Sequence, residues 1–342
     1  MVQHPFIKHK SQIVRFGFFI LLVFFISKIN LSAQKAPTSY NSYDGDAPGA
    51  EALSMGYAFT SVANDASAIY YNPAGLAQLD AKCLSASYEA ARLSSLNKDQ
   101  VFSSDTIKNS GINFIAISGG KGALSFRPLS DEVIQTINGN NWDNTEIKIN
   151  AYTLSAAQLN ENGVMAGINF TYLSGSIAES KMQNNVPSAT LSDGRGLSLD
   201  IGFLFSISKI VTLGVKFQNL LGTMWWDNFD KEQLPFGLRG GFSFKIPGST
   251  IFAVELEKEY FRDENPGPDQ IITHFGLEQA LGKSLKVRLG AFSSDFNDQN
   301  QTSYTYGLGY EFNKYKLSLA GQNYKISNTD VVRYLISLDI PI

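Results

Sequence analysis

SYTYGLGYEF, residues 303 to 312, places Tyr304, Tyr306, Leu308, Tyr310 and Phe312 at one parity and Ser303, Thr305, Gly307, Gly309 and Glu311 at the other. A period of two is the signature of a strand with unlike faces. One face is broad and aromatic; the other is small or polar. The same alternation runs through PFGLRGGFSF at 235–244, where Phe236, Leu238, Phe242 and Phe244 oppose Gly237, Arg239, Gly241 and Ser243. It recurs in GLSLDIGFLFSI at 196–207 and VTLGVKFQ at 211–218.

Working outward, fourteen such segments are predicted near 83–92, 110–118, 121–128, 145–159, 163–174, 195–207, 210–220, 234–246, 249–261, 270–281, 284–292, 303–312, 315–325 and 331–340. The connections after every second strand are tight: GG at 119, NEN at 160, SK at 208, PG at 247, GK at 282 and NK at 313. The connections between them, 93–109, 129–144, 175–194, 221–233, 262–269 and 293–302, read as longer polar loops. A β-sandwich has no reason to gather every short turn at one end. A transmembrane antiparallel β-barrel of the outer-membrane type does, and it takes an even strand number. A tilted crossing needs about 9 to 11 residues, as these segments supply.

Charge assigns the faces. Lys216, Arg239, Lys245, Lys286 and Arg288 share the parity opposite the large apolar residues. Turned toward lipid, such a cation costs about 2 to 4 kcal/mol at mid-membrane, so the register is fixed with the cations inward. A soluble barrel inverts the reading and makes the aromatics a core, which so many apolar faces fit poorly. Two segments are less regular. INFIAIS is apolar on both faces, and INAYTLSAAQL changes phase near Ala151, which reads either as a bulge or as a misplaced segment boundary. Trp225 and Trp226, with Met224 and Phe229, fall in a long loop and read as an interface girdle or a substrate-catching rim.

The first 33 residues read as a secretory signal peptide. Lys8, Lys10 and Arg15 precede the apolar run Phe16–Ile26, which is too short to span a bilayer, and small residues follow. Removing them takes four positive charges with Lys28, so the net charge moves from −3 to −7. A nucleic-acid partner would want a basic excess. The remainder keeps Cys83 and His274 as its one cysteine and one histidine. That excludes an internal disulfide and a His/Cys zinc site, and it leaves no triad spacing for a hydrolase built on His274. No enzyme activity, catalytic residue, metal site or cofactor is expected.

One helical signal stands before the first strand, NDASAIYYNPAGLAQL at 64–79. Asn64 or Asp65 is placed to cap a first short helix, which must stop at Asn72 because Pro73 follows. Asn72 can then cap a second helix that takes Pro73 in its first turn. Helices this short do not survive alone in water. A fourteen-stranded lumen is wider than side chains alone can fill, and it has room for helices about 10 to 12 Å thick. The expected architecture is residues 34–82 as an N-terminal segment and helical plug, and residues 83–342 as the barrel.

The segment AEALSMGYAFTSVANDASAIYYNPAGLAQL, residues 50–79, resembles the N-terminal signature of the PorV/PorQ-like outer-membrane proteins, a branch similar to the FadL family. Ala52 and Leu53, Met55 and Gly56, Ala58 and Phe59, Asp65 to Ser67, and Asn72 to Ala74 carry it. Ser54 and Tyr57 stand where many relatives have glycine, and the chain ends in Pro341 and Ile342 without the terminal aromatic common in such barrels. The resemblance implies a fourteen-stranded outer-membrane barrel of a Gram-negative cell with a lumenal hatch that includes Met55, Gly56, Phe59, Asp65, Asn72, Pro73 and Ala74. It also implies passive transport of hydrophobic small molecules that leave sideways into lipid, or an accessory role toward type IX secretion subunits. Lys216, Arg239, Arg288 and Arg333 are the candidate ligand contacts; the rival expectation pairs them with lumenal Glu255, Glu257 and Glu278.

Overall fold

The computed structural model describes residues 36–37, 43, 47–93, 111–138, 140–160, 163–260, 270–296, 299–326 and 329–342. The expected signal peptide lies outside them. The strands are β1 (Cys83–Leu93), β2 (Gly111–Gly119), β3 (Gly122–Asn138), β4 (Asn141–Leu159), β5 (Val164–Gln183), β6 (Val186–Ser206), β7 (Val211–Trp226), β8 (Glu232–Gln233), β9 (Phe236–Ile246), β10 (Thr250–Tyr260), β11 (Gln270–Leu281), β12 (Leu285–Phe296), β13 (Gln299–Phe312), β14 (Tyr315–Ile326) and β15 (Thr329–Pro341). β8 is a two-residue strand that folds back onto Thr223 and Met224 of β7. The other fourteen form one antiparallel ring, closed where β1 meets β15 along Cys83–Leu93. Among the described residues no helix is long and apolar enough to cross a membrane. The strands do the crossing.

The alternation holds around the ring. On β4, Thr145, Ile147, Ile149, Ala151, Thr153 and Ser155 are buried, while Lys148, Tyr152 and Leu154 are exposed. Leu154, Leu289 and Leu308 are 62%, 55% and 48% exposed on the outside, an arrangement only lipid rewards. An aromatic row, Phe126, Tyr152 and Tyr172, crosses β3 to β5 with ring centroids 5.3 and 6.3 Å apart and marks the outer interface.

Four expectations about connections are corrected: Met224, Trp225 and Trp226 belong to β7 and not to a loop, and 293–296 and 299–302 belong to β12 and β13. Residues 130–138 with 141–144, and 175–194, are likewise not loops but the far halves of the β3–β4 and β5–β6 hairpins, whose ladders run on to Asn138↔Asn141 and Gln183↔Val186. From Tyr152 to Trp142 these strands climb about 30 Å beyond the aromatic row. Standing in water, they need no apolar outer face. The bulge expected near Ala151 is absent, since β4 pairs with β5 in unbroken register. What changes there is the lumen, from Ile147, Ile149 and Ala151 above to Thr153 and Ser155 below. A bulge does occur across the sheet on β3, between Pro128 and Ser130.

Within the ring lie α1 (Ala50–Ser54), α2 (Ala68–Tyr71) and the 3-10 helix η1 (Pro73–Gln78). α1 packs on β12 to β15, and η1 packs on β4 to β6, at the opposite wall. The short helices therefore fill the lumen.

Candidate functional site

The plug touches the wall backbone to backbone. A Cβ on Gly290 would lie 2.1 Å from Gly56 N, and one on Gly214 would lie 2.3 Å from Thr60 O. Gly56, at φ +61°, donates its N–H to Thr305 Oγ1 at 3.0 Å, and its carbonyl faces His274 Nδ1 at 2.8 Å. Met55 and Phe59 are fully buried, Phe59 edge-on to Tyr71 at 5.3 Å. Thr60 donates its N–H and hydroxyl to Glu255, each at 2.8 Å. Asp65 accepts from Ser67 N and Oγ at 2.8 and 2.6 Å, which shapes the turn before α2 instead of capping that helix directly. Asn72 Oδ1 accepts from Ala74 N at 3.1 Å and so caps η1, with Pro73 at its first position. Its Nδ2 donates to Thr60 O and Phe203 O, both at 2.9 Å.

Each of the four candidate cations stands in an ion pair. Lys216 faces Asp200 at 3.5 Å and donates to Tyr70 O. Arg239 pairs with Glu257 and lies 3.7 Å from Glu255. Arg288 bridges Glu278 at 2.6 Å and Glu51 of the plug at 3.0 Å. Arg333 holds Glu89 through Nε at 2.6 Å and Nη2 at 2.8 Å. Glu51, Glu89 and Arg127 escaped the sequence reasoning. Arg127 lies 4.4 Å from the centre of the Tyr70 ring, with Lys216 at 5.1 Å and Arg239 at 5.2 Å, so one aromatic ring gathers three cations.

Above the plug the lumen turns apolar. Leu129, Ile147, Ile149, Leu173, Ile177, Met224, Trp226, Phe229 and Leu234 form one buried cluster with Tyr43 of the N-terminal segment. The tryptophan pair thus splits: Trp225 points outward, 48% exposed, while Trp226 points in. Glycines seat the inward ring, since a Cβ on Gly194 would lie 2.3 Å from Trp226. Trp226 Nε1 donates to Glu232 Oε2 at 2.9 Å, and the Tyr43 hydroxyl donates to the same oxygen.

Between this cluster and the plug is a cavity of about 60 Å³, bounded by Phe114, Arg127 and Leu129 on one side and by Tyr70, Asp200 and Lys216 on the other. It abuts the shortest ladder of the ring among the described residues. β2 and β3 pair only along Ile115–Gly119 and Gly122–Phe126; above that, Gly111–Phe114 and Arg127–Ser130 face each other without a ladder. Pro128 has no N–H to give.

No family model and no curated protein matches the sequence. Solved structures do. The Pseudomonas putida toluene transporter TodX matches at 10% identity over 87% of this chain and 99% of that one, with a TM-score of 0.60. The two chains share one fold. The Ralstonia pickettii toluene transporter TbuX agrees at 12% identity, 88% and 99% coverage and a TM-score of 0.59. A Pseudomonas aeruginosa FadL homologue agrees at 10%, 90% and 99%, with a TM-score of 0.51. At these identities the likeness is one of architecture, and it agrees with the apolar exterior in making this an outer-membrane barrel.

Proposed function

We propose that the protein is a passive outer-membrane channel for hydrophobic small molecules. The observation that carries this is the placement of an apolar, covered compartment directly above a seated plug and beside the end of the short β2–β3 ladder. A solute that enters past Trp226 meets a floor closed by backbone contacts and a side wall where the β2–β3 ladder stops at Ile115↔Phe126. The low-cost exit is sideways into lipid. The neighbours titled toluene transporters support the same substrate class. The four lumenal cations, each held by a carboxylate, serve the plug and the wall in this reading, and the substrate needs no carboxylate head.

Uptake of radiolabelled toluene and of a long-chain fatty acid, compared between a deletion strain and the complemented strain, tests the proposal. Slower apolar uptake with an unchanged rate for a small sugar is expected. Normal uptake of both apolar solutes together with a depleted secretome would overturn it in favour of an accessory role in secretion.

A further inference from the structure

Tyr57 sits in the plug at φ +63°, a left-handed conformation that a bulky residue keeps only when its surroundings enforce it. The ring is buried 5.3 Å from Phe292 and 6.3 Å from Tyr71, and its hydroxyl oxygen accepts a hydrogen bond from Arg333 Nη1 at 2.7 Å. Arg333 spends its other nitrogens on both oxygens of Glu89. Glu89 Oε2 also accepts from Asn113 Nδ2 at 3.2 Å, and Asn113 Oδ1 takes the hydroxyl proton of Ser87. All four residues are at most 8% exposed.

Asn113 is the extra residue of a bulge. The β1–β2 register runs Ser87↔Phe114 and then Tyr88↔Ile112, so Asn113 has no cross-strand partner and its side chain turns inward. It stands beside Phe114, where the β2–β3 ladder has already ended. Backbone pairing with β3 therefore does not hold this stretch of β2. It hangs on β1 alone, through the pairs Ser87↔Phe114, Tyr88↔Ile112 and Glu89↔Gly111, and at the bulged Asn113 through the Ser87 and Glu89 side chains.

We infer that Tyr57, Arg333, Glu89 and Asn113 form a continuous linkage by which the plug sets the width of the β2–β3 seam, with Tyr57 and Asn113 as positioning residues for the side exit. The inference rests on the lateral route proposed above only for its consequence in transport. The linkage itself is read from hydrogen bonds. It explains why a tyrosine is kept where the backbone favours glycine: the hydroxyl is the plug's grip on Arg333.

The test is amide hydrogen exchange on the full barrel in detergent micelles, with Tyr57→Phe and Asn113→Ala. Removing one charge-assisted hydrogen bond should speed exchange in the loosened segment by roughly tenfold. Tyr57→Phe is expected to do this at Gly111–Phe114 of β2, across the wall from the substitution, while amides near Asn169 and Gly202 keep their rates. Asn113→Ala is expected to speed exchange at Gly56–Ala58 of the plug. Faster exchange confined to each substituted segment, or a uniform rise across the barrel, would overturn the linkage. Toluene uptake by the same variants separates the two proposals, because coupled exchange with unaltered uptake upholds the linkage and removes the lateral route.

Discussion

Asn72 shows how much of the plug hangs on single side chains. Fully buried, it caps η1 with its oxygen and ties Thr60 and Phe203 together with its nitrogen. Asn72→Ala leaves two carbonyls and an N–H without these partners, and should lower stability by about 3 kcal/mol, read as a shift in the urea midpoint of the folded barrel. Asp65 predicts a pH dependence. Burial first, and then the nearby Glu51 and Asp339 carboxylates, push its pKa from 3.8 to about 7. The folded protein thus keeps a proton that the unfolded chain releases. Stability from this group is complete below about pH 4 and is lost as pH rises through 7. The thermal midpoint should fall between pH 5 and pH 8, and Asp65→Asn should flatten that slope.

At the scale of elements, the projecting hairpins invite a direct experiment. Replacing residues 132–147 by an Asn-Gly turn joins Asp131 to Lys148 above the aromatic row of Phe126, Tyr152 and Tyr172. The ring below is untouched, so the unfolding midpoint should hold. The cover over Trp226 is lost, and its fluorescence, read in a background with both Trp142→Phe and Trp225→Phe, should shift to the red. An unshifted spectrum would show that Ile147 and its neighbours do not shield the compartment. These hairpins were the least legible part of the sequence, for a physical reason. The membrane strands announce themselves through a one-sided apolar face such as Tyr304 to Phe312, whereas strands in water carry a mixed face that resembles a loop. A local signal was nonetheless available: Asn184 and Asn185, at φ +51° and +64°, make the two-residue turn that favours asparagine between hairpin strands. The Asn72-Pro73 corner was readable because proline chemistry is local. The Arg333–Glu89 pair was not, since it joins residues 244 positions apart.

For the whole molecule, deletion of residues 50–79 should raise single-channel conductance in a planar bilayer. An unchanged conductance would mean that α1, α2 and η1 do not block ion flow. Ring and plug also share one set of charges, because Arg288 pairs with Glu278 on the wall and Glu51 on the plug at once. Removing the plug should therefore also weaken the wall, and the deletion variant is expected to unfold at lower urea than the intact barrel.

α1 also bears on biogenesis. Ala50 donates its N–H to Ser337 Oγ of β15 at 2.8 Å, so the segment ahead of β1 rests on β15. Its docking surface on β12 to β15 is incomplete until the β14–β15 hairpin has arrived. During membrane insertion the leading segment must wait inside an incomplete cylinder, and the final β1–β15 zipper seals it there. Cork and vessel are finished in a single step.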